Sequence, residues 1–433
     1  MKRIIVVVCL ASSVTAFAQC GGQAGANRTN PDTSPGGFVA TTAYVEASVF
    51  TDTTAEVCGT SRVLGDAQLL GATKVLGSAI IDSADAPDNI VIEHSSIEDN
   101  ARIYDSAQIK KGAVVRNNAK IYNQVVVEGD SNTAASGPAI SNNAILKDQA
   151  QVLNTAKVFG NAILKNTAII SNAANVYGQA HIFNAGQVKN SARVYGKAQV
   201  SENAQIQETS HVYDSAQVMG DAVVKGNSRV YGFATVRGNS TIDENAHVYG
   251  HAAIRLADGV DYAVRGSARV FDIAFVGGES LVDSNATVNG QAYVLNALIT
   301  DRAIVSEEAG VEEAAVRDNA IVKGAARITA GEVKEDAQIY GDARLLTGNP
   351  VVSGSAQVFQ AATLEGNATV FGRAMVYGES TVRGQVYQSA QVLDSAVVEA
   401  TGIVGGNATV GGAYVITTTV MDNSDFEVKV STK

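Results

Sequence analysis

The chain has 433 residues and no tryptophan, five prolines, four methionines and three cysteines. The missing tryptophan and scarce proline accompany a surplus of alanine, valine, asparagine and glycine. That bias argues against ordinary globular domains and points to internal repetition. No segment approaches the ~20 consecutive apolar residues that a membrane span needs. The cationic excess that a nucleic-acid partner requires is absent as well, because the formal net charge is −11. A charge of that sign keeps a long particle soluble. Finally, no GxSxG elbow, phosphate loop, dinucleotide fingerprint or HExxH motif occurs.

The first residues read as an address. Lys2 and Arg3 precede an apolar run from Ile4 to Leu10, and small residues follow, ending in Ala16-Phe17-Ala18. This is the pattern of a signal peptide, residues 1–18, cleaved after Ala18, and it implies an exported protein: periplasmic, surface-bound or secreted. A lipoprotein reading, with Cys20 acylated, suffers from Gln19, which stands where a small residue is wanted. Cys9 leaves with the signal, so Cys20 and Cys58 remain as an even pair in an oxidising compartment. A disulfide between them is expected. Residues 19–37, rich in Gly, Asn, Thr and Pro, read as a flexible leader.

From residue 38 to 410 the dominant signal is a period of six. Aliphatics recur at Ile140, Leu146, Val152 and Val158, and on without a break to Ile254. A small residue usually precedes each by two positions, as in Ala192-Arg193-Val194. Six is neither a helical period nor that of one long strand. It suits a short strand followed by a corner: residues two apart both face inward, and Gly or Asn after the strand tolerates a left-handed corner. A second period, of 18, carries Tyr177, Tyr195, Tyr213, Tyr231 and Tyr249, with Phe159 before them. Three hexads therefore make one coil, with faces A, B and C, and the aromatics lie on face A.

This pattern resembles the hexapeptide-repeat superfamily of left-handed β-helices. The variant Val194-Tyr195-Gly196-Lys197-Ala198-Gln199 is similar to long arrays in bacterial surface and phage-associated proteins. The resemblance covers residues 40 to 415 and implies an all-β, left-handed parallel β-helix, a three-sided solenoid of about 20 coils. Handedness comes from the resemblance alone. Allowing shorter and longer rungs, face A is expected to collect Val63, Ile81, Ile103, Ile121, Ile140 and Val158. It then runs through Val248, Val270, Val288, Val305, Val322, Ile339, Val358, Val376, Val392 and Val410. Interruptions near 83–89, 131–138, 256–262 and 347–350 read as loops, three of them containing a proline that an interior ladder does not accommodate. Residues 411–433 lose the period and read as a C-terminal cap or assembly segment.

Function is less legible. Face A pairs cationic with aromatic residues around each aliphatic: Arg102/Tyr104, Lys120/Tyr122, Arg193/Tyr195, His211/Tyr213, Arg229/Tyr231, His247/Tyr249 and Arg269/Phe271. A structural ladder of stacked side chains accounts for this. The sharper reading is a binding strip of Arg193, Tyr195, His211, Tyr213, Arg229, Tyr231, His247 and Tyr249, with rings stacking on sugars. A third reading packs this face against another copy. The expected protein is an exported structural or adhesive fibre or spacer contacting glycans or the cell envelope, able to self-associate through face A or its coil ends. The competing readings are an acyltransferase-like enzyme of the hexapeptide class and a subunit assembling end to end. As the resemblance has it, such enzymes place a histidine near a subunit boundary beside a long loop. Here His94, His181, His211, His247 and His251 all lie in or beside rungs. The superfamily also includes zinc carbonic anhydrases, but His211 and His247 are expected two coils, ~10 Å, apart, too far to share a metal ion. No catalytic residue, metal or cofactor is expected. Asp82, Asp85 and Asp88 offer oxygen ligands for calcium, but a solvated acidic loop explains them better. An ice-binding role is set aside, because outward threonines are irregular.

Overall fold

The structure, a computed structural model, describes residues 19–82, 90–131, 137–256 and 264–422. Nearly every described element is a short strand, and the strands stack in parallel into a β-solenoid of about 20 turns. Contacts divide the chain into two compact units, Met1–Asn143 and Ala144–Lys433.

In unit 2 the hexad becomes strand and corner directly. Arg193–Val194, Gln199–Val200 and Gln205–Ile206 lie on three successive faces. Each pairs with the strand one turn later: Val194 with Val212, Val200 with Val218, Ile206 with Val224. The inward residues Ala192, Val194, Ala198, Val200, Ala204 and Ile206 are all fully buried. Each such aliphatic contributes roughly 1.5–3 kcal/mol, offset by the ordering entropy of its rung. Where serine replaces the inward alanine its hydroxyl is satisfied locally, as in Ser210 Oγ donating to Gln207 O at 2.6 Å. Face A runs in register from Val158 to Val410, and the rungs expected after Ile254 fall into place at Val270, Val288 and Val305. The interruption at 347–350 is a register shift after Leu345 in the strand Arg344–Gly348. The turns continue past residue 410: Val415–Ile416 pairs with Val397–Val398, and Thr419–Asp422 with the strand containing Ile403.

Unit 1 has the same architecture but a different register from the one expected. Ile140 lies opposite Val115, whereas Ile121 lies opposite Ile103, and Val63 opposite Ile81. Val63, Ile81, Ile103 and Ile121 therefore share a face from which Ile140 is absent. Arg102/Tyr104 and Lys120/Tyr122 accordingly do not belong to the Ile140 column. The cause is the interruption at 131–138. It lengthens one turn, so that Asn142 follows its partner Asn117 by 25 residues, and it adds no rung. Residues 132–136 of this interruption lie outside the described residues, as do 83–89, 257–263, the expected signal peptide 1–18 and residues 423–433.

Residues 19–37, where a flexible leader is expected, form a short 3-10 turn, Gln19–Gly22, and a strand, Gly25–Thr29. That strand pairs antiparallel with Pro35–Ala40, the first strand of the Val57 face. Asn30, buried, exchanges two hydrogen bonds of 2.9 Å with the backbone of Thr51, the first strand of a second face. Arg28 donates to the Glu46 and Ala47 carbonyls at the adjoining corner. Cys20 and Cys58 are joined by a disulfide, Cα–Cα 5.4 Å. The first turn is thus covered on two of its three faces, which removes strand edges that would otherwise invite pairing.

Candidate functional site

The proposed strip lies entirely in unit 2. Phe159, Tyr177, Tyr195, Tyr213, Tyr231, Tyr249 and Phe271 form one uninterrupted stack, with centroids 4.8–4.9 Å apart and planes within 5° of parallel. The turn spacing of the sheet sets this distance. Each interior ring therefore has both flat faces covered by its neighbours and shows solvent only its rim. Stacking of sugar rings onto these tyrosines, the mode expected from sequence, is blocked along the interior of the ladder.

The rim remains chemically useful. The hydroxyls of Tyr195, Tyr213, Tyr231 and Tyr249 make no hydrogen bond among the described residues, unlike Tyr340 and Tyr377, which reach Gln357 and Gln391. Burial, reinforced by neighbouring tyrosines, pushes the phenols of Tyr195, Tyr213 and Tyr231 upward, Tyr213 to about 12. Burial also raises Tyr249. The row is therefore one of protonated hydroxyls able to donate and accept.

Beside the rings, Arg193, His211, Arg229, His247 and Arg269 stand directly opposite one another in register. Like charges on adjacent rungs repel, and alternation relieves this. His211 and His247 are both held below the ordinary imidazole range, first by burial and then by the flanking arginines. Each imidazole meets a ring edge-on, His211 against Tyr195 and His247 against Tyr231, at 6.2 Å. The column is thus charged on every second turn at neutral pH.

The other histidines are scattered. His181 is paired in register with Gln199 on face B, and His251 stacks on the exposed Phe233 at a corner, 4.7 Å apart. His94 lies in unit 1, where it takes the Leu70 carbonyl through its backbone N–H. Among the described residues, the one group of three potential metal ligands is Cys20, Glu56 and Cys58. Its sulfurs are joined to each other and so present no thiolate, and the Glu56 carboxylate accepts the Cys20 N–H at 3.1 Å. Asp82 ends the strand Ile80–Asp82, while Asp85 and Asp88 lie outside the described residues.

One set of functional groups escaped the sequence reading. The corner residue two places after most of the inward aliphatics has positive φ, as at Gly196 (71°), Asp214 (57°) and Gly232 (71°). Where that residue is Asp, Asn or Glu, its side chain repeatedly accepts the backbone N–H of the same corner one turn on. Examples are Asp148 with Asn166 (2.8 Å), Asn154 with Asn172 (3.0 Å), Glu208 with Gly226 (3.0 Å) and Asp394 with Gly412 (3.0 Å). Many of the scattered carboxylates are therefore corner braces. The signal was present: an acidic or amide residue in phase with the hexad wherever glycine is missing.

The fold and strip together define the class, a three-sided parallel β-solenoid carrying an aromatic and basic ladder. Comparison with protein families and with curated proteins finds no match.

Proposed function

We propose that the chain is an exported structural or adhesive β-solenoid, a spacer that meets a glycan or cell-envelope surface through face A of unit 2. The observation carrying this reading is the seven-ring ladder with its flanking Arg/His column. It presents a straight row of unengaged phenol hydroxyls beside regularly spaced guanidinium groups. An extended array of identical donors suits a repeating partner better than a single small molecule. The mode of contact is rim-on: hydroxyls and guanidinium groups hydrogen-bond the partner, and the ring faces are spent on one another.

The discriminating variant keeps the ladder and removes only its hydroxyls. The triple change Tyr195→Phe, Tyr213→Phe, Tyr231→Phe is expected to abolish retention in a cell-wall pull-down or on a glycan array, with circular dichroism unchanged. Retention by the triple variant, or no retention of the unaltered chain, makes the ladder purely structural. Fractionation of native cells tests export separately.

A further inference from the structure

Unit 1 carries a second polar surface, on the face that contains Val63, Ile81, Ile103 and Ile121. Its outward column reads Tyr44, Arg62, Ile80, Arg102, Lys120, each opposite the next in register. Beside it at the corner runs a row of neutral hydrogen-bonding groups. Thr60 and Ser78 hydroxyls meet at 3.1 Å, and the Asn100 amide donates to Asn118 at 3.3 Å. From Arg62 to Lys120 the two rows line a groove of about 600 Å³ with no acidic residue in its wall.

Arg62, Arg102 and Lys120 make no ion pair among the described residues. At the corners, Asp99 accepts the Asn117 N–H and side-chain amide, and Asp105 those of Asn123. Arg102 and Lys120 are directly opposed, an arrangement that costs stability unless an anion lies between them. Tyr44 closes one end of the column. The residue is 54% exposed, with the Arg62 guanidinium 5.9 Å from its ring centroid.

We propose that this groove binds an acidic polysaccharide. Its carboxylate or sulfate groups meet Arg62, Arg102 and Lys120, its hydroxyls meet the Thr60–Ser78 and Asn100–Asn118 row, and one sugar ring lies on Tyr44. The cations span three turns, ~14 Å, which favours a polymer over a single small anion. A net charge of −11 disfavours nucleic acid, whose denser phosphates would be repelled by the remainder of the chain. Binding here deepens the adhesive reading but uses neither face A nor its ladder.

The test is calorimetric titration of the full chain with a polyuronate, a sulfated glycan, neutral dextran and oligothymidylate. Binding of at least one acidic polysaccharide is expected, weakening as salt is added, with none of dextran. The two acidic polymers distinguish carboxylate from sulfate as the recognised group. The triple change Arg62→Gln, Arg102→Gln, Lys120→Gln should weaken binding by about tenfold or more. The single change Arg102→Gln, at an exposed position, should act in the same direction should the triple variant fold poorly. Tyr44→Ala should weaken polysaccharide binding several-fold, whereas Arg373→Gln, at an exposed corner of unit 2, should leave it unchanged. Absence of binding by the unaltered chain, or full binding by the groove variants, overturns the proposal. So does loss confined to the face A change Arg193→Gln, Arg229→Gln, Arg269→Gln, which instead supports the ladder reading. Oligothymidylate binding as tight as the polysaccharide also overturns it, by making the groove a general polyanion site.

Discussion

At the scale of single residues, the corners decide which side chains the repeat tolerates. Gly196 has φ of 71°, and a Cβ there would sit 2.8 Å from the Asp214 nitrogen. An L-residue in this region costs roughly 1–2 kcal/mol, yet asparagine, aspartate and glutamate occupy equivalent corners along the chain. The difference lies in their side chains. Asp214 accepts the Gly232 N–H at 3.2 Å, returning about 0.5–1.5 kcal/mol of what the backbone loses. Alanine has nothing to return. Gly196→Ala is therefore expected to destabilise the local turns by about 1–2 kcal/mol and Gly196→Asn by distinctly less. Amide exchange at Lys197 and Ser215 reads the difference site by site, which matters because a stack of similar turns need not unfold in one step. Equal costs for Ala and Asn would remove the bracing argument.

At the scale of elements, the ladder on face A couples packing to pH. The folded-state pKa of His211 and His247 lies below the ordinary value because burial and the neighbouring arginines disfavour the imidazolium. The groups facing them are Arg193, Arg229 and Arg269 along the column and the rims of Tyr195 and Tyr231. A base with a depressed folded pKa leaves the unfolded chain holding more protons. Stability is then complete above about pH 6.5, the unfolded value, and declines as pH falls through it. Melting of unit 2 followed from pH 7.5 to 5 should show this decline, and His211→Gln with His247→Gln should reduce its slope, leaving the share of His181, which burial and then Lys165 also hold low. An identical slope in the double variant would place the pH dependence elsewhere. The ladder also marks how far sequence reading reaches. Every face A rung from Val158 to Val410 was legible, because each aliphatic must point inward for the turn to close. The register across 131–138 was not. Tyr104, Tyr122 and Phe159 each follow an aliphatic, so aromatics return in either frame, and a loop and an added rung leave the same trace. The strip residues were legible as a column, but the loss of their ring faces was not, since spacing says nothing of side-chain rotation.

At the scale of the whole molecule, a solenoid transmits perturbations poorly, because each turn contacts only its neighbours. The disulfide gives a direct measure of that range. It closes a loop between Cys20 and Cys58, separated by 38 residues, and in the chain-entropy account such a loop contributes about 4 kcal/mol against opening. In a globule that contribution would protect every residue. Here it acts on the segment it encloses: the Gly25–Thr29 strand, the buried Asn30 bridge and the first turn. On reduction, the amides of Gly37, Phe38 and Thr51, which are held by Thr51, Ala55 and Asn30, should exchange faster. The increase should lie between about tenfold and a thousandfold, the upper bound corresponding to the full 4 kcal/mol. The amides of Gln108 and Arg116, held by the Val125 and Ile140 carbonyls, should not change. Uniform acceleration across both groups would mean that unit 1 opens as one block, and the nearest-neighbour account would fail. If the change stays local, the N-terminal hairpin acts as a removable cap, and reduction then uncovers strand edges on two faces of the first turn. Self-association that appears only after reduction, seen by light scattering, would assign the hairpin the task of keeping that end unpaired.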